Sequence, residues 1–98
     1  MSYESVFRPD LFANQTIIVT GGGSGIGRCT AHELASLGAK IVLIGRKQDK
    51  LERVQAEIEE DGGQAVWWTC DIRDEERVTQ VIKEIVEAHG PIRHLVNN

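Results

Sequence analysis

A glycine-rich turn at residues 20–27 constrains this chain more than any other feature. It reads T-G-G-G-S-G-I-G, directly after the apolar run at 16–19 and directly before a helical pattern. Glycines at Gly21, Gly25 and Gly27 let the backbone turn tightly, approach a ligand closely and pack a helix against a strand. The start of that helix offers unpaired N–H groups and the positive end of its dipole to an anion. The pattern predicts a pyrophosphate-binding turn; a purely conformational role for the glycines is the alternative.

The hydrophobic pattern predicts four strands that alternate with three helices. Short runs rich in branched residues indicate buried strands at 16–20, 39–44, 64–70 and 92–97. Helical spacing predicts helices over 25–37, over 47–61, and from about 74 until Gly90-Pro91. The apolar face expected for the first helix consists of Ile26, Thr30, Leu34 and Leu37.

The alternation of strands and helices requires parallel pairing with right-handed crossovers. We therefore predict an α/β fold, the N-terminal half of a Rossmann-type doubly wound parallel sheet with strand order 3-2-1-4. In such a sheet the ligand crevice opens outside the carboxyl ends of the strands, between the first and the fourth. Residues that directly follow the strands are therefore the candidate binding residues.

Composition restricts the class of protein. The chain has 98 residues, of which 41% are hydrophobic and 27% charged, as in a soluble globular domain, and this length allows one domain. A net charge of −4 argues against a broad nucleic-acid-binding surface. The first 14 residues lack the apolar core of a secretory signal, and no stretch is long and apolar enough to span a membrane. We expect neither a nucleic-acid nor a membrane partner, and a cytoplasmic location by default.

The end of the second strand carries two cations. The sequence Gly45-Arg46-Lys47 lies about twenty residues past the glycines, where an acidic residue binds the ribose 2'-hydroxyl of NAD and an arginine accommodates the 2'-phosphate of NADP. Arg46 could form a bidentate contact with that phosphate. The pattern favours NADP; the alternative is that both cations are solvated residues that open a charged helix. Ser24 offers a hydroxyl that could reach the phosphate or simply belong to the turn.

Asp71 and Ile72 follow the third strand at its carboxyl end. The carboxylate could accept a hydrogen bond from the adenine amino group while Ile72 packs along the ring. Asp71 could equally form a turn, or cap the next helix near Arg73. The sequence does not decide between adenine binding, a turn and a helix cap for Asp71.

Other conspicuous side chains are given no chemical role. Trp67 and Trp68 are adjacent on one strand, so they must point to opposite faces of the sheet, and packing explains them best. The two cysteines lack metal-binding spacing and are interpreted as reduced and structural. The histidines have no spaced partners for metal binding or catalysis. These residues are Cys29, Cys70, His32, His89 and His94.

Four segments together resemble the short-chain dehydrogenase/reductase family. They are T-G-G-G-S-G-I-G at 20–27, G-R-K at 45–47, C-D-I at 70–72 and L-V-N-N at 95–98, and the resemblance covers residues 15–98. The spacing T-G-x-x-x-G-x-G matches the main branch of the family. The resemblance implies that residues 21–27 hold the pyrophosphate and that Asn97 lies near the adenosine-side ribose. Asn98 resembles the second asparagine of the family's N-N-A-G motif, which bridges strands. The residues expected to bind NADP (NADPH) are Gly21, Gly23, Ser24, Gly25, Ile26, Gly27, Arg46, Lys47, Asp71, Ile72 and Asn97.

The resemblance also implies an activity and a domain organisation. Such enzymes transfer a hydride between NADPH and a carbonyl or an enoyl or acyl thioester, and the tyrosine of a Y-x-x-x-K pair acts as general acid or base. That pair and the catalytic serine follow the N-N-A-G motif, so no catalytic residue is expected within residues 1–98. We interpret residues 1–14 as a lead segment and residues 15–98 as part of an NAD(P)-binding domain in a longer polypeptide.

The family resemblance leaves the substrate and the class of function open. The lead segment and the third strand are similar to those of enoyl-CoA and dienoyl-CoA reductases, but substrate specificity in the family depends on later loops. The complete protein is expected to be a homo-oligomer, either a dimer or a tetramer, that acts on a small molecule. The alternatives are a non-catalytic dinucleotide sensor and a nucleotide-binding module completed by another chain.

Overall fold

Four strands and three helices alternate along the part of the chain that the structure describes, as the sequence predicts. The computed structural model describes residues 11–23 and 25–97. Each predicted element is present, and its bounds differ from the prediction by no more than one residue. The elements are β1 (Thr16–Thr20), α1 (Gly25–Ser36), β2 (Lys40–Gly45), α2 (Gln48–Glu60), β3 (Gln64–Thr69), α3 (Glu75–His89) and β4 (Ile92–Val96).

The strands form one parallel sheet. β1 pairs with β2 and β4, and β2 pairs with β3, so the order is β3-β2-β1-β4. This confirms the predicted order and the Rossmann-type fold. The register places Thr20 opposite Ile44 and Gly45 opposite Thr69. Because these strands end at the same edge of the sheet, the segments that follow them are brought together there.

Helices cover both faces of the sheet. Side chains of α1 and α2 pack on one face, against alternate residues of β1 and β2 such as Ile17 and Leu43. Side chains of α3 pack on the other face, against Ile18 and Val42. Successive strand residues are buried on opposite faces because the side chains of a strand alternate. Trp67 joins the first cluster and Trp68 the second, as predicted.

The predicted apolar face of α1 is wrong at its first turn. Ile26 is 77% exposed, whereas the buried residues of α1 are Gly27, Ala31 and Ala35. These three small residues lie along one face at helical spacing and allow the helix to lie close to the sheet. Ile26 belongs to a different face of the helix. The prediction is therefore wrong for Ile26, whereas Leu34 packs against the core and Leu37, just after α1, is buried.

Short-range contacts set the helix ends. Asp74 is the N-cap of α3, and its side chain accepts a hydrogen bond of 3.1 Å from the backbone N–H of Arg77. Gly62, just after the end of α2, has φ of +88°, a left-handed conformation that glycine adopts readily at helix ends.

The described residues also test three expectations about cysteines, metals and membranes. Both cysteines are free thiols, but only Cys70 is buried, so the structural interpretation is wrong for the exposed Cys29. Residues 11–23 and 25–97 include no cluster of His, Cys, Asp or Glu suited to a metal ion. None of the helices within these ranges is both long and apolar enough to cross a membrane.

Candidate cofactor-binding site

A cleft of about 400 Å³ opens at the carboxyl ends of β1, β2 and β3. It brings together four residues that were predicted separately from the sequence, namely Gly21, Arg46, Asp71 and Ile72. The remaining lining residues are Ile44, Gly45, Cys70 and Arg73. The cleft therefore joins the glycine turn to the ends of the two neighbouring strands.

The glycine turn is held against β2 and has little room for side chains. The backbone N–H of Gly21 donates a hydrogen bond of 2.8 Å to the carbonyl of Ile44, and Gly21 has φ of +66°. A Cβ atom on Gly22 would lie 2.6 Å from Leu43 Cδ2. At Gly25, φ is +60° and a Cβ atom would meet nothing within 4 Å. The turn is thus packed tightly on its inner side and open at Gly25, which fits close approach of a ligand to the backbone.

The first turn of α1 suits an anion electrostatically. α1 begins at Gly25 and has no acidic residue in its first turn, whereas α2 has Asp49 there and α3 has two glutamates. Acidic side chains at a helix start normally interact with the positive end of the dipole. In α1 that end is left for an external anion. Ile26 is exposed beside it and Gly27 is buried; Ser24 lies outside the described residues.

The two cations after β2 occupy different positions. Arg46 is exposed and lines the cleft. Lys47 is the N-cap residue of α2, is also exposed, and makes no side-chain capping bond. It is not among the residues that line the cleft, so its predicted contact with the cofactor stays a prediction. Gly23 lies nearby, where a Cβ atom would be 3.0 Å from the Cβ of Lys50.

Asp71 is held by Arg73. Its Oδ1 accepts hydrogen bonds of 3.0 Å from both the backbone N–H and the Nε of Arg73, and its Oδ2 accepts one of 2.8 Å from Nη2. These hydrogen bonds, with a smaller contribution from the charge of Arg46, hold the pKa of Asp71 well below its usual range. Asp71 therefore forms the turn that the sequence allowed, while Asp74 is the cap of α3. Asp71 still lines the cleft.

A second, more apolar cleft of about 210 Å³ adjoins the first. The two share Ile44, Cys70 and Ile72. The second cleft is also lined by Asn97 and Thr20, and the Thr20 hydroxyl donates a hydrogen bond of 3.0 Å to Asn97 Oδ1. β4 thus places Asn97 beside the end of β1, where the crevice was predicted. Asn98 lies outside the described residues.

Four residues that line the cleft were not predicted to bind the cofactor, and two of them, Cys70 and Arg73, carry polar side-chain groups. Cys70 is buried at the end of β3, and burial raises the pKa of its thiol. Arg73 was considered only as a neighbour of a possible helix cap. Its spacing two residues after Asp71 was the available signal, because an aspartate often bonds the backbone two residues further on.

Comparison with known proteins identifies the family of the chain. The family model for short chain dehydrogenase matches residues 15–98. The chain belongs to the short-chain dehydrogenase family. The match begins just before β1 and includes the glycine turn and both clefts.

Individual members of the short-chain dehydrogenase family match nearly the whole chain. A fatty acyl-CoA reductase of Acinetobacter baylyi is 36% identical over 95 residues, which are 97% of this chain and 32% of the reductase. Among solved structures, a citronellol catabolism dehydrogenase of Pseudomonas aeruginosa is 64% identical with a TM-score of 0.96, over 98% of this chain and 40% of that one. A metagenomic short-chain oxidoreductase in complex with NADP is 38% identical with a TM-score of 0.86, over 88% of this chain and 39% of that one. The chain therefore spans about a third of the length of the curated relative and two fifths of these structures.

Proposed function

We propose that this chain is the cofactor-binding part of an NADP-dependent short-chain oxidoreductase. The proposal rests mainly on the position of Arg46, which lines the same cleft as Gly21 and Ile72. The carboxylate of Asp71, which also lines this cleft, is paired with Arg73. The end of β2 offers a cation in place of the carboxylate that NAD-binding sites of this fold use. A dinucleotide with a 2'-phosphate fits this charge pattern, and the NADP complex of a 38% identical relative supports it.

Each part of the site would contact a different part of the cofactor. The turn and the start of α1 would bind the pyrophosphate through backbone N–H groups. Arg46 and Lys47 would bind the 2'-phosphate, Ile72 and Asp71 the adenine, and Asn97 the ribose region. Bound NADPH would supply the hydride. The full set of proposed cofactor-binding residues is Gly21, Gly23, Ser24, Gly25, Ile26, Gly27, Arg46, Lys47, Asp71, Ile72 and Asn97.

We assign the substrate-facing chemistry to a part of the complete protein beyond residues 1–98. The family resemblance predicts a serine and a Y-x-x-x-K pair there, which would hold the carbonyl oxygen and transfer its proton. The substrate is proposed to be a small carbonyl compound or an enoyl or acyl thioester. The names of the two relatives matched over nearly all of this chain suggest fatty acyl-CoA and citronellol-type compounds as the first to assay. A cytoplasmic location and homo-oligomeric assembly stay predictions.

The test is a change of cofactor preference in the complete protein. Arg46→Asp should weaken NADPH binding and bring the preference towards NADH, because it replaces a cation with the carboxylate that binds a ribose 2'-hydroxyl. Arg53→Asp is the matched control, since Arg53 is exposed on α2 and does not line the cleft. Dissociation constants for both cofactors would be measured by isothermal titration calorimetry. An unchanged NADPH affinity in the Arg46 variant would refute the assignment.

A substrate panel separates the enzyme from the non-catalytic sensor. NADPH oxidation would be followed with enoyl-CoA, acyl-CoA and small carbonyl substrates, and NADP reduction with citronellol. Turnover of any of these supports the oxidoreductase. Cofactor binding without turnover across the panel would favour the sensor.

A further inference from the structure

We propose that Arg73 is a positioning residue for NADP selectivity: by holding the carboxylate of Asp71, it keeps Arg46 available for the 2'-phosphate. This inference rests on the proposed function, because it concerns the same cleft. Arg73 lines that cleft together with Arg46 and Asp71. Nothing in its role requires it to touch the cofactor.

Three hydrogen bonds from Arg73 fix the position of the Asp71 carboxylate, although the group lies at the surface. Three donors of Arg73 point at it, namely the backbone N–H and Nε to Oδ1 and Nη2 to Oδ2. Because the guanidinium is planar and its donors form a rigid fork, the two side-chain bonds define the plane of the carboxylate as well as its position. An ionised carboxylate has about four acceptor sites. One site on Oδ2 therefore stays available after these bonds form.

Arg46 is the competing cation for the same carboxylate. Its charge acts on Asp71 across the cleft and favours the ionised form. In the observed arrangement Arg73 occupies three of the acceptor sites of Asp71, so the carboxylate attracts Arg46 less and Arg46 can direct its donors elsewhere. Without Arg73, the ionised carboxylate would draw Arg46 towards itself and would also repel a doubly charged phosphate. Both effects weaken the binding of a 2'-phosphate.

The consequence differs between the two cofactors. NAD and NADP share the adenine, both riboses and the pyrophosphate. A general disturbance of the loop after β3 would therefore weaken the binding of both cofactors. If Arg46 instead paired with Asp71, only the binding of the cofactor with the 2'-phosphate would be weakened. The ratio of the two dissociation constants therefore isolates the role proposed for Arg73.

A role in helix capping would leave a different signature. Asp74, and not Asp71, accepts the hydrogen bond at the start of α3. The backbone of Asp71 contributes through its carbonyl, which accepts a bond of 3.0 Å from the N–H of Asp74. Removal of the Arg73 side chain leaves both bonds in place, so α3 should keep its start and the protein its stability.

The experiment is a double-mutant cycle on the complete protein, read by calorimetric binding of NADP and NAD at low salt. Arg73→Ala should raise the dissociation constant for NADP about fivefold, in the range of a well-placed exposed ion pair, and change that for NAD less than about twofold. Adding Asp71→Asn to Arg73→Ala should restore the NADP-to-NAD ratio to that of Asp71→Asn alone. Arg73→Lys should lie between wild type and Arg73→Ala, because it keeps the charge and loses the fork. The selectivity loss should shrink at high salt.

Two results would overturn the inference: equal weakening of both cofactors by Arg73→Ala, or a selectivity loss that Asp71→Asn does not reverse. Because Arg73 is 77% exposed at its side chain, folding of the variants is expected, and circular dichroism would verify it. The Arg46→Asp variant separates this inference from the proposed function. If Arg46→Asp leaves NADPH affinity unchanged, the proposed function fails; if it removes the preference while Arg73→Ala does not change the ratio, only the role of Arg73 fails.

Discussion

Gly22→Ala should destabilise the protein because the added methyl group would collide with the core. A Cβ atom at this position would lie 2.6 Å from Leu43 Cδ2 and 3.4 Å from the carbonyl oxygen of Val19. Two carbon atoms in contact are normally about 3.5–4.0 Å apart. Leu43 is 0% exposed and packs in the cluster beneath α1 and α2. It cannot move aside without displacing other core side chains.

The size of the effect follows from this overpacking. Extra methyl groups in a packed core typically cost about 1–3 kcal/mol, so the free energy of unfolding should fall by that amount. Leu43→Val removes the atom that collides, and by itself it should cost about 1 kcal/mol. The double variant Gly22→Ala/Leu43→Val should therefore be more stable than the sum of the single effects predicts, by at least about 0.5 kcal/mol.

Urea unfolding of the complete protein, followed by the fluorescence of Trp67 and Trp68, measures these differences. Gly62→Ala is the matched control: it places a side chain at φ of +88° with nothing within 4 Å, so it should destabilise the protein and combine additively with Leu43→Val. If the free energy of unfolding of Gly22→Ala lies within about 0.5 kcal/mol of the wild-type value, the predicted collision with Leu43 is wrong. Equal coupling free energies of Gly22→Ala and Gly62→Ala with Leu43→Val would also contradict the predicted collision.

Two further predictions concern α3. Asp74→Ala should lower the free energy of unfolding by about 1 kcal/mol, because the N-cap of the helix is lost. Asp74→Ser should retain most of the capping stabilisation, and the urea midpoints of both variants test this. Burial, together with the charge of Lys40, lowers the pKa of His89 from 6.5. The unfolded chain therefore binds the proton more readily, so stability should fall as the pH drops below 6.5. His89→Gln should flatten this dependence, and an unaltered pH profile would contradict it.

The order of the elements could be predicted from the sequence because strand, turn and helix signals agree locally. The glycine turn follows a run of branched residues, and Gly62-Gly63 separates a charged helix from the next strand. Parallel pairing then follows from the alternation itself, because a helix between two strands returns the chain to the end of the sheet where the first strand began. The clustering of Gly21, Arg46 and Asp71 at one sheet edge is a consequence of that topology.

Two features could not be predicted from the sequence, because they depend on close packing and on which of several hydrogen-bond partners a residue uses. The face of α1 that meets the sheet consists of Gly27, Ala31 and Ala35, and small residues produce almost no hydrophobic signal. The partner of Asp71 was equally undecided, because a turn, a cap and a ligand contact all use the same residue type. Only the three-dimensional arrangement assigns it to Arg73 and assigns the cap to Asp74.

The cofactor affinities of the unsubstituted complete protein test whether the cleft binds NADP. NADPH and NADH would be titrated under identical salt and pH, and their dissociation constants compared. A charge-assisted bond from Arg46 to the 2'-phosphate, worth about 1.5–3 kcal/mol, predicts that NADPH binds at least about tenfold more tightly. Equal affinities, or tighter binding of NADH, would contradict the assignment of the cleft to NADP.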